Sequence, residues 1–172
     1  MKRTLFKTRL FRVEEEPFFK NSRKFNAFRI SVRNSVVIVP VFDDGSILLE
    51  RQYRYPIKKY LYELPAGRIK KGEKPSKTTA RELEEETGYR ARRIRYLFKS
   101  YTSPGLTTGM HYFFIATALE KSQRHLDADE IINVKRMSIN RALSMIRNNS
   151  ICDAKTIEGI LYCAKFVQKT KS

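Results

Sequence analysis

Residues 67–89 read GRIKKGEKPSKTTARELEEETGY. Gly67 and Gly72 bound a short loop, and glycine lets backbone approach a ligand closely. Pro75 can open a helix at its first turn, Ser76 to Thr87 contains no breaker, and Gly88 supplies a stop. The spacing predicts a helix that carries Glu82, Glu85 and Glu86 at i, i+3 and i+4, so their carboxylates share one face. Ala80, Leu83 and Thr87 fall on a neighbouring face that can pack into a core. Like charges so arranged repel by a few tenths of a kcal/mol per exposed pair, more when desolvated. Mg²⁺ or Mn²⁺ would relieve this, because hard divalent cations prefer carboxylate oxygens and keep room for water and phosphate. The competing reading is a solvated acidic face on an ordinary helix. Arg81, which can ion-pair with a glutamate, and the glycine-bounded loop weigh against it.

Working outward, the upstream third reads as strands. Residues 4–12 and 17–33 are strand-like, with Phe28, Ile30 and Val32 on one side of an alternating run. Ser35 to Phe42 is β-branched and ends at Asp43-Asp44-Gly45-Ser46, after which Ile47 to Glu50 returns. Residues 35–51 therefore read as a hairpin. Downstream, strands are expected at Arg93–Tyr101 and His111–Leu119 around the turn Ser103-Pro104-Gly105, then a short strand near Ile131–Arg136. A helix follows Ser138, and another starts at Asp153 with Ile157, Ile160, Leu161, Ala164 and Val167 as its apolar stripe. That order predicts one mixed α/β domain over residues 1–172, its sheet sandwiched between helices.

Composition narrows the function classes. The chain has 172 residues, enough for one domain with a sizeable core, and 41% of them are apolar, which excludes a disordered chain. Its formal charge of +17 attracts polyanions, namely nucleotides, RNA, DNA or acidic membrane surfaces, unless it reflects a general basic bias of the source. No apolar run approaches the roughly 20 residues of a membrane span. Arg3, Lys7 and Arg9 interrupt any signal-peptide core at the N-terminus, so a cytoplasmic location is expected. Cys152 and Cys163 lack paired spacing and read as free thiols.

Residues 67–89 resemble the Nudix box: Gly, five residues, Glu, seven residues, then Arg-Glu-aliphatic-any-Glu-Glu-any-Gly and an aliphatic residue. All seven fixed identities are present, and Tyr89 fills the last place. The resemblance implies a Nudix-type α/β/α sandwich with a mixed sheet, here preceded by N-terminal strands (1–33, with the core at 34–172). It implies a metal site of Glu82, Glu85, Glu86 and the carbonyl of Ala66. Arg81 would orient a ligand glutamate, and Glu73 would brace the loop through Arg81. The implied reaction is metal-dependent hydrolysis of a diphosphate, in which Glu85 and Arg81 serve catalysis.

Further segments resemble the ADP-ribose pyrophosphatase subgroup: Glu50-Arg51-Gln52-Tyr53-Arg54-Tyr55-Pro56, Tyr62-Glu63-Leu64-Pro65-Ala66-Gly67, and Pro104, 16 residues beyond Gly88. The subgroup implies a nucleoside diphosphate sugar substrate, AMP and ribose 5-phosphate as products of ADP-ribose, and a homodimer joined by N-terminal strands. It also implies a catalytic base in the acidic loop Asp127-Ala128-Asp129-Glu130, with Glu130 the candidate. Arg51, Arg54 and Arg68 can grip substrate phosphates with planar guanidinium groups, aided by Lys70, and Pro104 belongs to the substrate side. Tyr53 and Tyr55 could stack a base or belong to core or interface. His111, in an apolar strand, reads as a packing residue, and His125 has no partner that sequence identifies. Gly109 stands where the subgroup carries an acidic residue. Alternatives are a Nudix hydrolase of dinucleoside polyphosphates or RNA 5′ ends, and an RNA-binding module of this fold without hydrolysis. Nucleic acid is the less favoured partner, and no membrane is expected.

Overall fold

The computed structural model describes residues 1–126 and 131–167. Strands β1 (Arg3–Lys7), β2 (Phe11–Lys20) and β3 (Arg23–Val32) form an antiparallel sheet at the N-terminus. The two expected strands are thus three. The Thr8 hydroxyl accepts from the amides of Leu10 (3.0 Å) and Phe11 (3.1 Å) and turns the chain after β1. Asn21 (φ 49°) and Ser22 (φ 60°) make the two-residue turn of positive φ that suits the twist of a hairpin.

β4 (Ser35–Pro40), β5 (Ile47–Arg54), β6 (Lys59–Glu63), β7 (Ala66–Arg68), α1 (Pro75–Thr87), β8 (Tyr89–Tyr101), β9 (Met110–Lys121), β10 (Ile132–Met137), α2 (Ile139–Arg147) and α3 (Ala154–Tyr162) follow. They build a mixed sheet ordered β7-β4-β9-β8, with β4 and β9 parallel, and an antiparallel sheet ordered β10-β5-β6. The expected hairpin over 35–51 does not form. Gly45 (φ 81°) turns the chain, and a single bridge, Val41 to Ile47, joins the two arms before they enter different sheets. The reason is burial. Val36 to Val39 are fully buried, so β4 takes the central place between β7 and β9, as a continuous apolar run suits.

Alternation along β4 then sorts the core. Val36 and Ile38 face α1, packing with Leu83, Phe114 and Ala116. Val37 and Val39 face the other side, where Leu49, Leu64, Phe113, Ala142 and Ile160 join them beneath α2, α3 and the second sheet. This is the expected sandwich of helices about a mixed sheet. α1 ends at Gly88 (φ 73°), whose N–H donates to the Glu84 carbonyl. Ser138 and Asp153 cap α2 and α3 by accepting from Arg141 N and Thr156 N.

Two faces are rotated from their expected setting. The buried residues of α1 are Thr78, Thr79, Leu83, Glu86 and Thr87, and Ala80 is exposed. Thr79 and Thr87 can be buried because their hydroxyls donate to the carbonyls of Pro75 and Leu83 within the helix. On α3, Leu161 points outward while Ile157, Ile160, Ala164 and Val167 meet the core, the last two within a π-helical turn over Cys163–Val167. Both cysteines are free, Cys152 exposed and Cys163 buried. Among the described residues, no helix is long and apolar enough to cross a membrane.

The structure explains Gly109. It is buried, and a Cβ there would lie 2.6 Å from Val32 Cγ2 and 3.2 Å from Thr102 Oγ1. An acidic side chain would prise β3 from the loop that Ile30 pairs with. Gly109→Ala is expected to destabilise the fold by about 1–3 kcal/mol, the usual cost of overpacking, measured by urea denaturation. An unchanged denaturation midpoint would contradict that packing.

Candidate active site

The loop between Gly67 and α1 is tied to the helix by one carboxylate. Glu73 accepts from Lys70 N (3.3 Å), the Thr78 hydroxyl (2.9 Å) and Arg81 Nε (3.3 Å). Arg81, one turn and a half along α1, also places its two terminal nitrogens at 2.7 Å from Glu82 Oε1 and 2.7 Å from Glu85 Oε2. A single guanidinium thus binds three carboxylates, the expected Glu73–Arg81 brace included. The Arg81 hydrogen bond, with help from Thr78 and Lys70, holds the Glu73 carboxyl down at about 2. Burial pulls the Arg81 pKa down, but Glu73, Glu82 and Glu85 outweigh it and raise it above its ordinary value.

The other wall of the site is the short segment before the loop. A Cβ on Gly67 would fall 1.9 Å from Glu82 Cδ, so the Glu82 carboxylate lies directly on bare glycine backbone. Glu86 is buried, and its Oε2 accepts from Ala66 N at 2.9 Å. Ala66 thus meets α1 through its N–H. Among the described residues, no three acidic, histidine or cysteine side chains converge in ligand geometry. The expected ligands Glu82, Glu85, Glu86 and Ala66 lie together at this junction, without the side chains closing into ligand geometry. Glu82 and Glu85 are drawn to Arg81, whose single positive charge, shared with Glu73, offsets only part of theirs. The donor chemistry nonetheless fits a hard divalent cation: carboxylate oxygens on adjacent turns of one helix, one of them seated in a glycine cradle. Glu85 lines a cleft of about 710 Å³ on the outer side of α1, with Arg81, Lys77 and His125.

The remaining candidates separate. Arg51 is exposed and lies over the Tyr60 ring at 4.5 Å, and Tyr53 meets the same ring edge-on at 5.2 Å. Tyr55 is exposed. Arg54 is placed differently from a phosphate grip: Nε and a terminal nitrogen engage both oxygens of buried Glu63 at 2.7 and 2.6 Å. That fork is already used, and the pairing raises the Arg54 pKa. Arg68 and Lys70 are exposed on the segment after Gly67. Pro104 is exposed in a turn whose Leu106 carbonyl accepts from Ile30 N at 2.9 Å, against β3. His111 packs, its Nδ1 2.7 Å from the Ser35 hydroxyl. Asp127, Asp129 and Glu130 lie outside the described residues.

Sequence reasoning missed Arg124, whose Nε donates to the Glu86 carbonyl (2.5 Å) and whose other arm reaches Ile132 O (2.8 Å), tying the end of α1 to β10. The only signal was a basic residue near a helix C-terminus in space, which no spacing reveals. It also missed Lys155 and Thr156 behind the site, for the same reason.

A family model of the NUDIX domain matches residues 32–158. The chain is 38% identical over 130 residues to the ADP-ribose pyrophosphatase of Bacillus subtilis (strain 168), covering 74% of this chain and 70% of that protein. It is 35% identical to the methanol dehydrogenase activator of Bacillus methanolicus, with the same coverage. Against the GDP-mannose pyrophosphatase of Yersinia pestis (strain Pestoides F) it is 34% identical, covering 69% and 64%. A crystal structure described as an ADP compounds hydrolase superposes with a TM-score of 0.88 at 23% identity, over 99% of this chain and 93% of that one, which shows the shared fold. With every fixed identity of the box in place on α1 and its loop, the chain belongs to the Nudix family and is similar to ADP-ribose pyrophosphatases.

Proposed function

We propose that this Nudix pyrophosphohydrolase cleaves the diphosphate bond of ADP-ribose or a related nucleoside diphosphate sugar, with Mg²⁺ or Mn²⁺ as cofactor. ADP-ribose would give AMP and ribose 5-phosphate. The observation that carries the reading is the junction where Ala66 and Gly67 receive Glu86 and Glu82 while Arg81 gathers Glu73, Glu82 and Glu85. Glu82, Glu85 and Glu86 would hold the cation, which supplies charge neutralisation at phosphate oxygens and an activated water. Arg81 and Glu73 keep the loop and helix in register, so the carboxylates stay pre-positioned. Arg68 and Lys70, exposed beside the cradle, would meet the diphosphate. Arg51, steadied on Tyr60, would contact the more distal part of the substrate, and Pro104 would border it. Glu130, or Asp127 or Asp129 near it in sequence, would accept the water proton.

The names of the relatives support a sugar nucleotide over a dinucleoside polyphosphate or an RNA end. The test compares kcat/KM for ADP-ribose, ADP-glucose, GDP-mannose and diadenosine polyphosphates at fixed Mg²⁺. ADP-ribose is expected to lead. Another substrate ahead by tenfold, about 1.4 kcal/mol of transition-state discrimination, would overturn the substrate while leaving the reaction type.

The whole chain is proposed to act as one domain in the cytoplasm, with residues 1–33 pairing two copies. The N-terminal sheet exposes Leu5, Phe6, Phe18, Phe19, Phe25 and Phe28, more apolar surface than a lone sheet keeps in water. Light scattering at micromolar concentration is expected to give twice 20.2 kDa. Phe6→Asp combined with Phe28→Asp should shift it to the monomer. A wild-type monomer would contradict the pairing.

A further inference from the structure

The segment that carries the cradle is held from behind by α3. Leu64 N donates to the buried Thr156 Oγ1 at 2.8 Å. The Thr156 hydroxyl donates in turn to Asp153 Oδ2 at 2.6 Å, the oxygen that also caps the helix and accepts from Lys155 Nζ at 2.8 Å. Lys155 Nζ reaches further, to Glu63 Oε2, the oxygen that a terminal nitrogen of Arg54 also meets. Glu63 is 1% exposed and Lys155 12%. A buried carboxylate held by two cations from different elements has little freedom, since loss of either partner leaves a charge uncompensated. Gly159 completes the contact: a Cβ there would fall 2.5 Å from Leu64 Cδ1, so α3 packs closely on the Leu64 side chain.

Immediately beyond these anchors come Pro65, whose carbonyl accepts from Ile38 N at 2.9 Å, and then Ala66 and Gly67. Ala66 N holds Glu86, and Gly67 seats Glu82. The path from the ion pair to the cradle is therefore five residues, 63–67, pinned at Glu63, Leu64 and Pro65.

We propose that Lys155 is a positioning residue for the cation-binding glutamates: by holding Glu63, with Thr156 holding Leu64, it sets how Ala66 and Gly67 present themselves to Glu86 and Glu82. This rests on the reading that those glutamates hold a divalent cation. Sites of this kind require their groups within about 0.5 Å, and outer partners that orient ligands change metal affinity by roughly 10–100-fold.

The sign of the effect separates positioning from simple charge. Lys155 is a cation near an acidic site, so if it acted only through its charge, removing it would tighten binding of another cation. As a positioning group, its removal loosens binding. The experiment measures Mn²⁺ binding directly by electron paramagnetic resonance and calorimetry, thermal unfolding without metal, and kcat and KM for ADP-ribose at saturating metal. The proteins compared are wild type, Lys155→Met, Lys155→Arg and Thr156→Val. Lys155→Met is expected to weaken Mn²⁺ binding about tenfold or more and to lower kcat with KM little changed. Lys155→Arg should recover most of both, and Thr156→Val should lose less. Thr156→Val, nearly isosteric, carries the test if Lys155→Met does not fold. Unchanged or tighter Mn²⁺ binding in these variants, with only the melting temperature lowered, would overturn the proposal. A wild-type protein that binds no Mn²⁺ would instead overturn the reading of the box, and the proposal with it.

Discussion

Glu85→Gln is expected to lower turnover of ADP-ribose by roughly a hundredfold or more while the metal-free protein stays folded. Glutamine keeps the shape of the side chain and removes one formal charge from the proposed cation site. A cation at a phosphoryl centre supplies several kcal/mol of transition-state stabilisation, and each 1.36 kcal/mol is tenfold in rate. The structural cost is small. Glu85 is the most exposed of the box carboxylates that Arg81 binds, with a side chain 36% accessible, and Arg81 retains Glu73 and Glu82. The losses therefore separate, with kcat falling steeply and the melting temperature moving little. Raising Mg²⁺ should recover part of the loss if the remaining ligands still bind weakly. Near-wild-type turnover at low Mg²⁺ would remove Glu85 from the site.

Gly67→Ala should be comparably damaging, for a geometric reason. The added methyl would stand 1.9 Å from Glu82 Cδ and 2.1 Å from Glu82 Oε1. Something must shift, and the movable partner is the end of a flexible side chain rather than backbone. Glu82 can swing away cheaply, so the fold survives, but the carboxylate leaves its cradle and its 2.7 Å contact with Arg81. Misplacement by about 1 Å can cost a hundredfold in rate. Activity is expected to fall by about that factor, with weaker Mn²⁺ binding and a melting temperature within a few degrees of wild type. Full activity in Gly67→Ala would show that Glu82 works from elsewhere.

What sequence disclosed and what it hid follow from range. α1, its Gly88 stop, and the caps at Ser138 and Asp153 are local: each depends on residues within four positions, and each lies where periodicity and capping chemistry put it. The box residues were legible for the same reason, since the Arg81 bridges to Glu82 and Glu85 lie within one helical turn and Glu73 is eight residues away. Errors arose where partners are distant. Two β-branched arms around Asp43–Ser46 look like a hairpin until β9, far downstream, claims β4 as a parallel neighbour. Ala80 reads as the better core residue than Thr79 until Thr79's internal hydrogen bond lets it be buried. Arg54 reads as a phosphate grip because nothing nearby announces that buried Glu63 engages its Nε and one terminal nitrogen. Gly109 reads as a lost acidic contact, yet the close approach of Val32 makes any side chain there costly. The clamp of Lys155 and Thr156 on residues 63 and 64 spans 92 positions, beyond any motif.

Cation-dependent diphosphate hydrolysis is proposed to take place at the junction of residues 66–67 with α1. Its most direct test is incubation of the purified protein with ADP-ribose across a Mg²⁺ titration beginning in chelator, with products separated and identified. No turnover is expected in chelator, then saturable turnover as Mg²⁺ rises, with AMP and ribose 5-phosphate in equal amounts. Hydrolysis that proceeds undiminished in chelator, or ADP-ribose left intact at saturating Mg²⁺ and Mn²⁺ alike, would contradict the proposal.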